Sequence, residues 1–402
     1  MKKVLLIGDY CEREIESYLK KFAKATYNKS GINYQENLFL GFEKVLGVDN
    51  VEMICCPTYG SYPKESTLAV FPEFQSKRPN IKYVKFNNLR VYRNISRTFN
   101  LKKAVKRYLK GINADDELLV VVFQMHYPFM KALHYIKKVF GSTKACINIW
   151  DYPNYVDFRA NNLIKRVLKK VNYSLTMRLL RDYDLFFYLS EKMKEKNAYN
   201  KNYIVHEGII SSLQLSAYCK SVNSKQSDGK FHIVYTGRLT KYDGVLDLIN
   251  AVENIDDFDV VLDIAGGGEI LEDVLAASKK STKINFHGSL SRDETRELQC
   301  GADLFVLPRL PEEYTKYSFP SKLCEYILTG KPILTRRLDC FDEYLLKQFY
   351  LFEGDDNENL SNEIAKTIAM IKSGKKSIDY SDFIEKNLEV NIAKEIMGKF
   401  YE

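Results

Sequence analysis

Lys322 and Glu325 stand three residues apart, behind Ser318-Phe319-Pro320-Ser321 and ahead of Gly330-Lys331-Pro332-Ile333-Leu334. At that spacing an ammonium and a carboxylate share one helix face, the carboxylate a turn deeper. Pro320 presets φ for a first helical turn, and Ser321 is placed to cap its free N–H groups. Those N–H groups, the positive end of the helix dipole and the Lys322 ammonium together offer a site for an anion. An anion site backed by a carboxylate suits a nucleoside diphosphate, with pyrophosphate at the helix tip and ribose hydroxyls on Glu325. Read locally, the same residues also describe a capped surface helix with a solvated Lys and Glu. The rest of the chain has to decide.

Four further motifs end short apolar runs upstream. Tyr235-Thr236-Gly237-Arg238-Leu239 offers a glycine that permits close backbone approach and an arginine suited to phosphate, with Lys241 following. Ile264-Ala265-Gly266-Gly267-Gly268-Glu269 enters a helical pattern, but Leu271 stands where a dinucleotide fingerprint requires its third glycine. Phe286-His287-Gly288-Ser289-Leu290 and Leu307-Pro308-Arg309 end the next two runs. Each alone is weak; their order on successive runs is the signal. The pair Asp182-Tyr183-Asp184 precedes an apolar run and reads as capping or solvated, so no D-x-D metal motif sits at a strand end.

The elements that must position these residues follow a regular rhythm. Val4–Gly8, Val51–Cys55, Ile81–Phe86, Leu118–Phe123, Ala145–Trp150 and Leu185–Leu189 read as strands. Helical patterns over Gln35–Leu46, Asn100–Lys110 and Pro128–Phe140 separate them. Residues Ser211 to Lys230 lose periodicity and read as the inter-domain linker region. The alternation then restarts with strands Phe231–Thr236, Val260–Ala265, Ile284–His287, Leu304–Leu307 and Pro332–Thr335. Helices Val245–Val252, Ile270–Ala277, Arg292–Cys300, Phe319–Leu328 and Glu358–Met370 accompany them. Alternating strands and helices imply doubly wound, mostly parallel sheets. At 402 residues two domains are expected. The division falls at 1–210 and 211–385, with a C-terminal helix near 386–402 packing back on the first domain. Two such domains facing one another would create a ligand cleft.

Charge is divided unequally. Residues 1–210 carry 36 Lys and Arg against 20 Asp and Glu, net +16, whereas residues 211–402 carry 24 against 32, net −8. Different partners for the two halves are implied. Within Asn161–Arg181, Leu163, Ile164, Val167, Leu168, Val171 and Leu175 recur at helical spacing beside Lys165, Arg166, Lys169, Lys170 and Arg178. Such a helix can lie on an anionic membrane face, or pack its stripe on the core in the ordinary way. No nucleic-acid signature is present. The eight cysteines lack C-x-x-C spacing, and Cys55-Cys56 read as buried strand thiols rather than metal ligands. Met1-Lys2-Lys3 leads straight into the short apolar run Val4 to Ile7, so no signal peptide is expected, and no apolar stretch approaches the ~20 residues of a membrane span. A reducing cytoplasm is the expected location, peripheral on the inner membrane face.

With these motifs assembled, the chain resembles retaining glycosyltransferases of the GT-B fold, family 4, bacterial polysaccharide type, over nearly its whole length. Met125-His126-Tyr127-Pro128-Phe129-Met130 adds to the resemblance. So do Trp150-Asp151-Tyr152-Pro153-Asn154-Tyr155, similar to a D-x-P-x-Y turn, and two further strings, Tyr188 to Met193 and Ile204 to Ile209. The resemblance implies two facing Rossmann-like α/β domains and transfer of a sugar from a nucleotide diphosphate sugar. Under it Glu325 matches the second glutamate of E-x7-E and holds the donor ribose. Arg238 and Lys322 neutralise the diphosphate, aided by the Ser321 and Lys322 N–H groups. Gly288 and Leu290 frame the base, and His126 lies near the reacting sugar. Gly237, Lys241, Arg309, Ser318 and Pro320 complete the implied donor site. No metal and no resident cofactor are implied, the donor being a substrate. The acceptor implied is a glycan or a polyprenyl-pyrophosphate-linked sugar.

Two positions depart from the family pattern. Tyr317 stands where the first glutamate of E-x7-E would be, with Glu312 and Glu313 nearby, and Asp243 replaces the usual lysine. They keep a non-catalytic nucleotide-sugar-binding subunit open as an alternative. A nucleotide-sugar epimerase also shares the fold, whereas a nicotinamide oxidoreductase lacks its fingerprint here.

Overall fold

Runs such as Leu118–Phe123 and Leu304–Leu307 are apolar at every position, the pattern of strands covered on both faces. In the computed structural model they are central strands of two parallel sheets. The structure describes all residues except 25–28, 58–59, 91, 152–162, 196, 198–201, 222–227, 257–258, 313–314, 354–356, 375 and 402. The chain divides into two units. Unit 1 comprises Met1–Leu189, Met193–Ser211 and Asn387–Glu402, and unit 2 comprises Ser190–Lys192 and Ser212–Lys386.

In chain order the first elements are β1 (Lys2–Gly8), α1 (Arg13–Lys20), α2 (Lys29–Leu46), β2 (Val51–Cys55), β3 (Val70–Phe71), β4 (Ile81–Tyr83) and β5 (Phe86–Asn87). They continue as α3 (Arg93–Leu109), β6 (Glu117–Phe123), α4 (Tyr127–Val139), β7 (Lys144–Ile149), α5 (Leu163–Leu179), β8 (Leu185–Tyr188), α6 (Glu191–Lys194) and β9 (Tyr203–Val205). The sheet of unit 1 runs β4-β2-β1-β6-β7-β8-β9, with every neighbouring pair parallel. The expected strand over Ile81–Phe86 breaks in two. β4 joins β2 in the main sheet, whereas β5 turns away to pair antiparallel with β3.

Unit 2 contains α7 (Ser212–Ser221), β10 (Phe231–Arg238), α8 (Val245–Glu253), β11 (Val260–Gly267), α9 (Leu271–Lys280), β12 (Ile284–Phe286) and α10 (Arg292–Cys300). Then come β13 (Leu304–Leu307), α11 (Lys322–Leu328), β14 (Ile333–Arg336), α12 (Glu343–Gln348), β15 (Tyr350–Phe352), α13 (Asn357–Lys372) and α14 (Ser381–Lys386). Its sheet order is β12-β11-β10-β13-β14-β15, again all parallel. Ile233, Leu262, Ile264, Leu304 and Val306 from the strands meet Leu248, Val252, Ile364 and Ile368 from α8 and α13 in one core. Full burial of each such side chain contributes roughly 1.5–3 kcal/mol. The stretch read as linker contains α7, anchored by buried Tyr218. Its polar composition hid one inward-facing aromatic residue.

The last helix, α15 (Glu389–Tyr401), belongs to unit 1. It lies against α2, where Gly41 permits a close approach: a Cβ there would fall 2.2 Å from the Glu389 carbonyl oxygen. The buried Glu389 carboxylate pairs with Lys44 at 2.6 Å.

Candidate functional site

The carboxyl ends of β10 and β11 leave the sheet side by side, with Gly237 registered against Gly266 and Arg238 against Gly267. Gly266 adopts φ +145°, and a Cβ on it would lie 1.8 Å from the Gly237 carbonyl oxygen. Only glycine lets these two strand ends come this close. Gly237, at φ +140°, leaves the space that Lys322 occupies: a Cβ there would be 3.0 Å from the Lys322 Nζ.

Lys322 opens α11 and reaches back to β10. Its ammonium donates to the Tyr235 hydroxyl at 2.5 Å, stands 4.0 Å from the Tyr235 ring centroid and lies 3.9 Å from Asp243 Oδ1. Burial lowers its pKa to about 8; Asp243 opposes that shift, and the Arg309 and Arg238 cations add to it. Asp243 is itself held by a 2.7 Å bond from the Thr240 hydroxyl. The acid at the departing position therefore acts as counter-charge to Lys322. Arg238 is exposed at the strand end. Exposed Lys241 is fixed through its backbone N–H, which donates to Glu269 Oε1 at 3.0 Å.

One turn into α11, Glu325 accepts from Gln299 Nε2 at 3.0 Å. The fully buried Gln299 also donates to the Thr236 hydroxyl at 2.8 Å and accepts from the Tyr218 hydroxyl. Burial raises the Glu325 pKa, with Gln299, Arg292 and Lys322 working against the rise. Tyr326, stacked on Phe305 at 4.0 Å, closes the attachment of α11 to β10. Its hydroxyl accepts from the Thr236 N–H at 2.9 Å and donates to the Thr236 carbonyl at 3.1 Å. Arg309, buried after β13, donates to the Ser318 carbonyl at 2.9 Å and shapes the turn before α11.

The turn itself differs from the sequence expectation. Ser321 is already helical (φ −55°, ψ −28°), and its side chain does not cap the first turn. The Pro320 carbonyl accepts from Leu323 N–H at 2.9 Å instead, and α11 begins at Lys322 rather than Phe319. Gly288, at φ +71°, presents its carbonyl to Gly266 N–H at 2.8 Å and leads through Ser289 to half-buried Leu290. Its neighbour His287 donates from Nε2 to Asp263 Oδ1 at 2.7 Å, and His232 bonds the other oxygen at 2.7 Å.

Unit 2 thus brings Gly237, Arg238, Lys241, Lys322, Glu325, Arg309, Ser318, Pro320 and Ser321 to the ends of β10 and β13, with Gly288 and Leu290 beside β11. Sequence reasoning missed Tyr235, Gln299, Tyr326 and Tyr218. Tyr235 and Tyr326 directly adjoin residues that were singled out. Gln299 carries no local signal and becomes visible only once α10 is placed against β10.

His126 belongs to unit 1, at the start of α4. Its ring donates from Nε2 to Gln124 Oε1 at 2.6 Å, and burial together with the Arg97 charge lowers its pKa to about 4. The imidazole is therefore neutral at pH 7. Asp182 accepts from His134 at 2.7 Å, and Asp184 accepts from Lys137 at 2.8 Å and from Ala145 N–H at 2.9 Å, so both tie elements together. Residues 152–155 of the D-x-P-x-Y string, and Glu313, lie outside the described residues. Cys55 and Cys56 are fully buried. A cavity of about 850 Å³ in unit 1, between the β2–β4 edge and α3, includes none of the site residues.

Residues 230–370 match the family model described as glycosyl transferases group 1. Among curated proteins none matches this chain. Solved structures are similar over almost the full length. A UDP-forming α,α-trehalose-phosphate synthase from Burkholderia xenovorans is 10% identical, with 100% of this chain and 99% of that one covered at TM-score 0.64. A sucrose-phosphate synthase from Thermosynechococcus elongatus is 12% identical, with 99% and 98% covered at TM-score 0.64. A lipopolysaccharide outer core galactosyltransferase is 15% identical, with 100% and 99% covered at TM-score 0.60. The chain has the GT-B fold. At these identities the likeness is one of fold, and within it the matched GT-B segment is the part of unit 2 that carries Lys322 and Glu325.

Proposed function

We propose that this protein is a retaining glycosyltransferase. It moves a sugar from a nucleotide diphosphate sugar to a glycan or lipid-linked acceptor in bacterial surface polysaccharide biosynthesis. The observation that carries the reading is the end of β10, where Lys322 is drawn in beside Gly237 and Gln299 ties Glu325 to the same strand. The match of residues 230–370 supports a sugar-transfer activity, and an Anabaena structure of the same fold, 12% identical at TM-score 0.60, is a complex with UDP. Arg238, Lys322 and the first amides of α11 would hold the diphosphate and stabilise the charge that grows as it departs. Glu325 would hold the ribose hydroxyls, and Gly288 and Leu290 would frame the base. The acceptor hydroxyl oxygen bonds to the anomeric carbon on the face from which the diphosphate leaves. The electron pair of the broken C–O bond goes to the β-phosphate oxygen, which takes the hydroxyl proton. Neutral His126 would orient the sugar. The scheme uses the donor as substrate and no resident cofactor or metal.

The acceptor is read as a lipid-linked pyrophosphoryl sugar at the cytoplasmic face of the membrane. Val167, Val171 and Leu175 on α5 are 52%, 50% and 39% exposed, so this part of the stripe does not pack on the core. They lie beside exposed Arg166, Lys170 and Arg178, an arrangement suited to an anionic lipid surface. No described helix is long and apolar enough to cross a membrane. Asp243, close to Lys322, favours a second reading as a non-catalytic nucleotide-sugar-binding subunit. Screening nucleotide sugars for release of nucleoside diphosphate, with membrane lipid extract as acceptor, tests both. Release from one or two donors, lost in Lys322→Ala and Glu325→Ala, is expected. Binding without turnover would favour the non-catalytic reading.

A further inference from the structure

Arg97 on α3 is only 2% exposed, yet no carboxylate pairs with its guanidinium among the described residues. Its Nε donates to Cys56 Sγ at 3.3 Å and its Nη2 to the Cys56 carbonyl at 3.1 Å, leaving three of five N–H groups without an acceptor among the described residues. The rings of Phe86 and Phe129 stand 5.6 and 5.1 Å away and offset part of the charge. One helical turn earlier lies half-buried Arg93, likewise without an ion pair among the described residues. Two like charges at i and i+4 repel. A buried guanidinium without counter-charge is unfavourable for folding alone.

Their place in the fold is specific. Cys56, which Arg97 grips, follows β2, and its N–H donates to the Gly8 carbonyl at the end of β1 at 2.8 Å. Phe129, beside Arg97, meets His126 edge-on at 5.5 Å just beyond β6. Between β6 and His126, Gln124 holds φ +65°, a strained backbone for a non-glycine residue. Asp9, after β1, is tied to Gln35 by a 2.6 Å bond from Gln35 Nε2. The carboxyl edge of an open parallel sheet is where such folds receive ligands.

We infer that Arg93 and Arg97, set against the carboxyl ends of β1, β2 and β6, bind a phosphate group of the acceptor. Guanidinium groups are suited to bidentate recognition of phosphate; the nearby Glu65 carboxylate acts on Arg93 through space, but no ion pair joins them among the described residues. The neutral state of His126, beside both cations, avoids a third positive charge at the same place. The same chemistry fits a prenyl pyrophosphate or a sugar phosphate. Naming the ligand an acceptor rests on the transferase reading; the anion site itself does not.

The test is a calorimetric titration of inorganic pyrophosphate into Lys322→Ala protein, in which the diphosphate site of unit 2 is weakened. Binding is expected there, and at least tenfold weaker binding when Arg93→Gln or Arg97→Lys is added. Arg93 is half-exposed, so Arg93→Gln keeps the test decisive should the buried substitution unfold the protein. Farnesyl diphosphate and glucose 6-phosphate, titrated in parallel, distinguish the two sources by which binds more tightly. No pyrophosphate binding to Lys322→Ala protein, or binding that a folded Arg93→Gln variant retains in full, would overturn the inference. Nucleoside diphosphate titrated into the wild type reports separately on the transferase reading. Its failure alone would leave the arginine pair standing and remove only the word acceptor.

Discussion

Gln299 shows how much of the site depends on one residue that the sequence does not advertise. Its amide serves Glu325, Thr236 and Tyr218 at once, in a fully buried position. Gln299→Leu leaves those groups unsatisfied, with an expected loss of roughly 2–4 kcal/mol. Thermal unfolding should show Tm falling by roughly 4–16 °C at about 2–4 °C per kcal/mol. An unchanged Tm would mean the network carries no stability. Lys322 gives a pH prediction. Its pKa is lowered to about 8, so its charge is present below that pH and lost as pH rises through it. Nucleoside diphosphate affinity should therefore weaken between pH 7 and 9, and Lys322→Arg should flatten that dependence, because arginine keeps its charge. Lys322 and Glu325 were legible because their spacing is local. Gln299 was not, because its role exists only where α10, β10 and α11 meet, and Ser321 misled because its own backbone is already helical, so its side chain does not cap the turn.

The strands and helices follow from patterns that physics reads directly. Uniformly apolar runs became central parallel strands, and Arg292–Cys300 took the span its pattern gave, capped by Ser291. The two- and three-residue strands β3, β9 and β15 carry no periodicity, so nothing in the sequence marked them. The polar stretch around Ser212–Ser221 formed a helix because Tyr218 gives it a buried anchor. The paired ends of β10 and β11 hold the most exacting backbone of unit 2. Gly266→Ala would place a Cβ against the Gly237 carbonyl at positive φ, and should destabilise the protein by roughly 2–4 kcal/mol. Denaturant unfolding measures this; an alanine tolerated within 0.5 kcal/mol would mean the strand ends are not held as described.

Across the whole molecule, the charge division of +16 for residues 1–210 against −8 for residues 211–402 places the basic surface on the half that includes α3 and α5. Binding to vesicles containing anionic lipid should weaken steeply with added salt, since screening lengths fall to about 3 Å at 1 M. Val171→Asp, on the exposed stripe of α5, should reduce that binding with stability changed by less than about 0.5 kcal/mol. Vesicle co-sedimentation decides it, and equal binding by the variant would refute a role for this face. The central claim concerns the end of β10 with the start of α11, and calorimetric titration of nucleoside diphosphates tests it most directly. The account predicts saturable binding of at least one of them, weakened at least tenfold by Lys322→Ala and by Glu325→Ala in folded protein. Absence of binding, or binding indifferent to both substitutions, would contradict it.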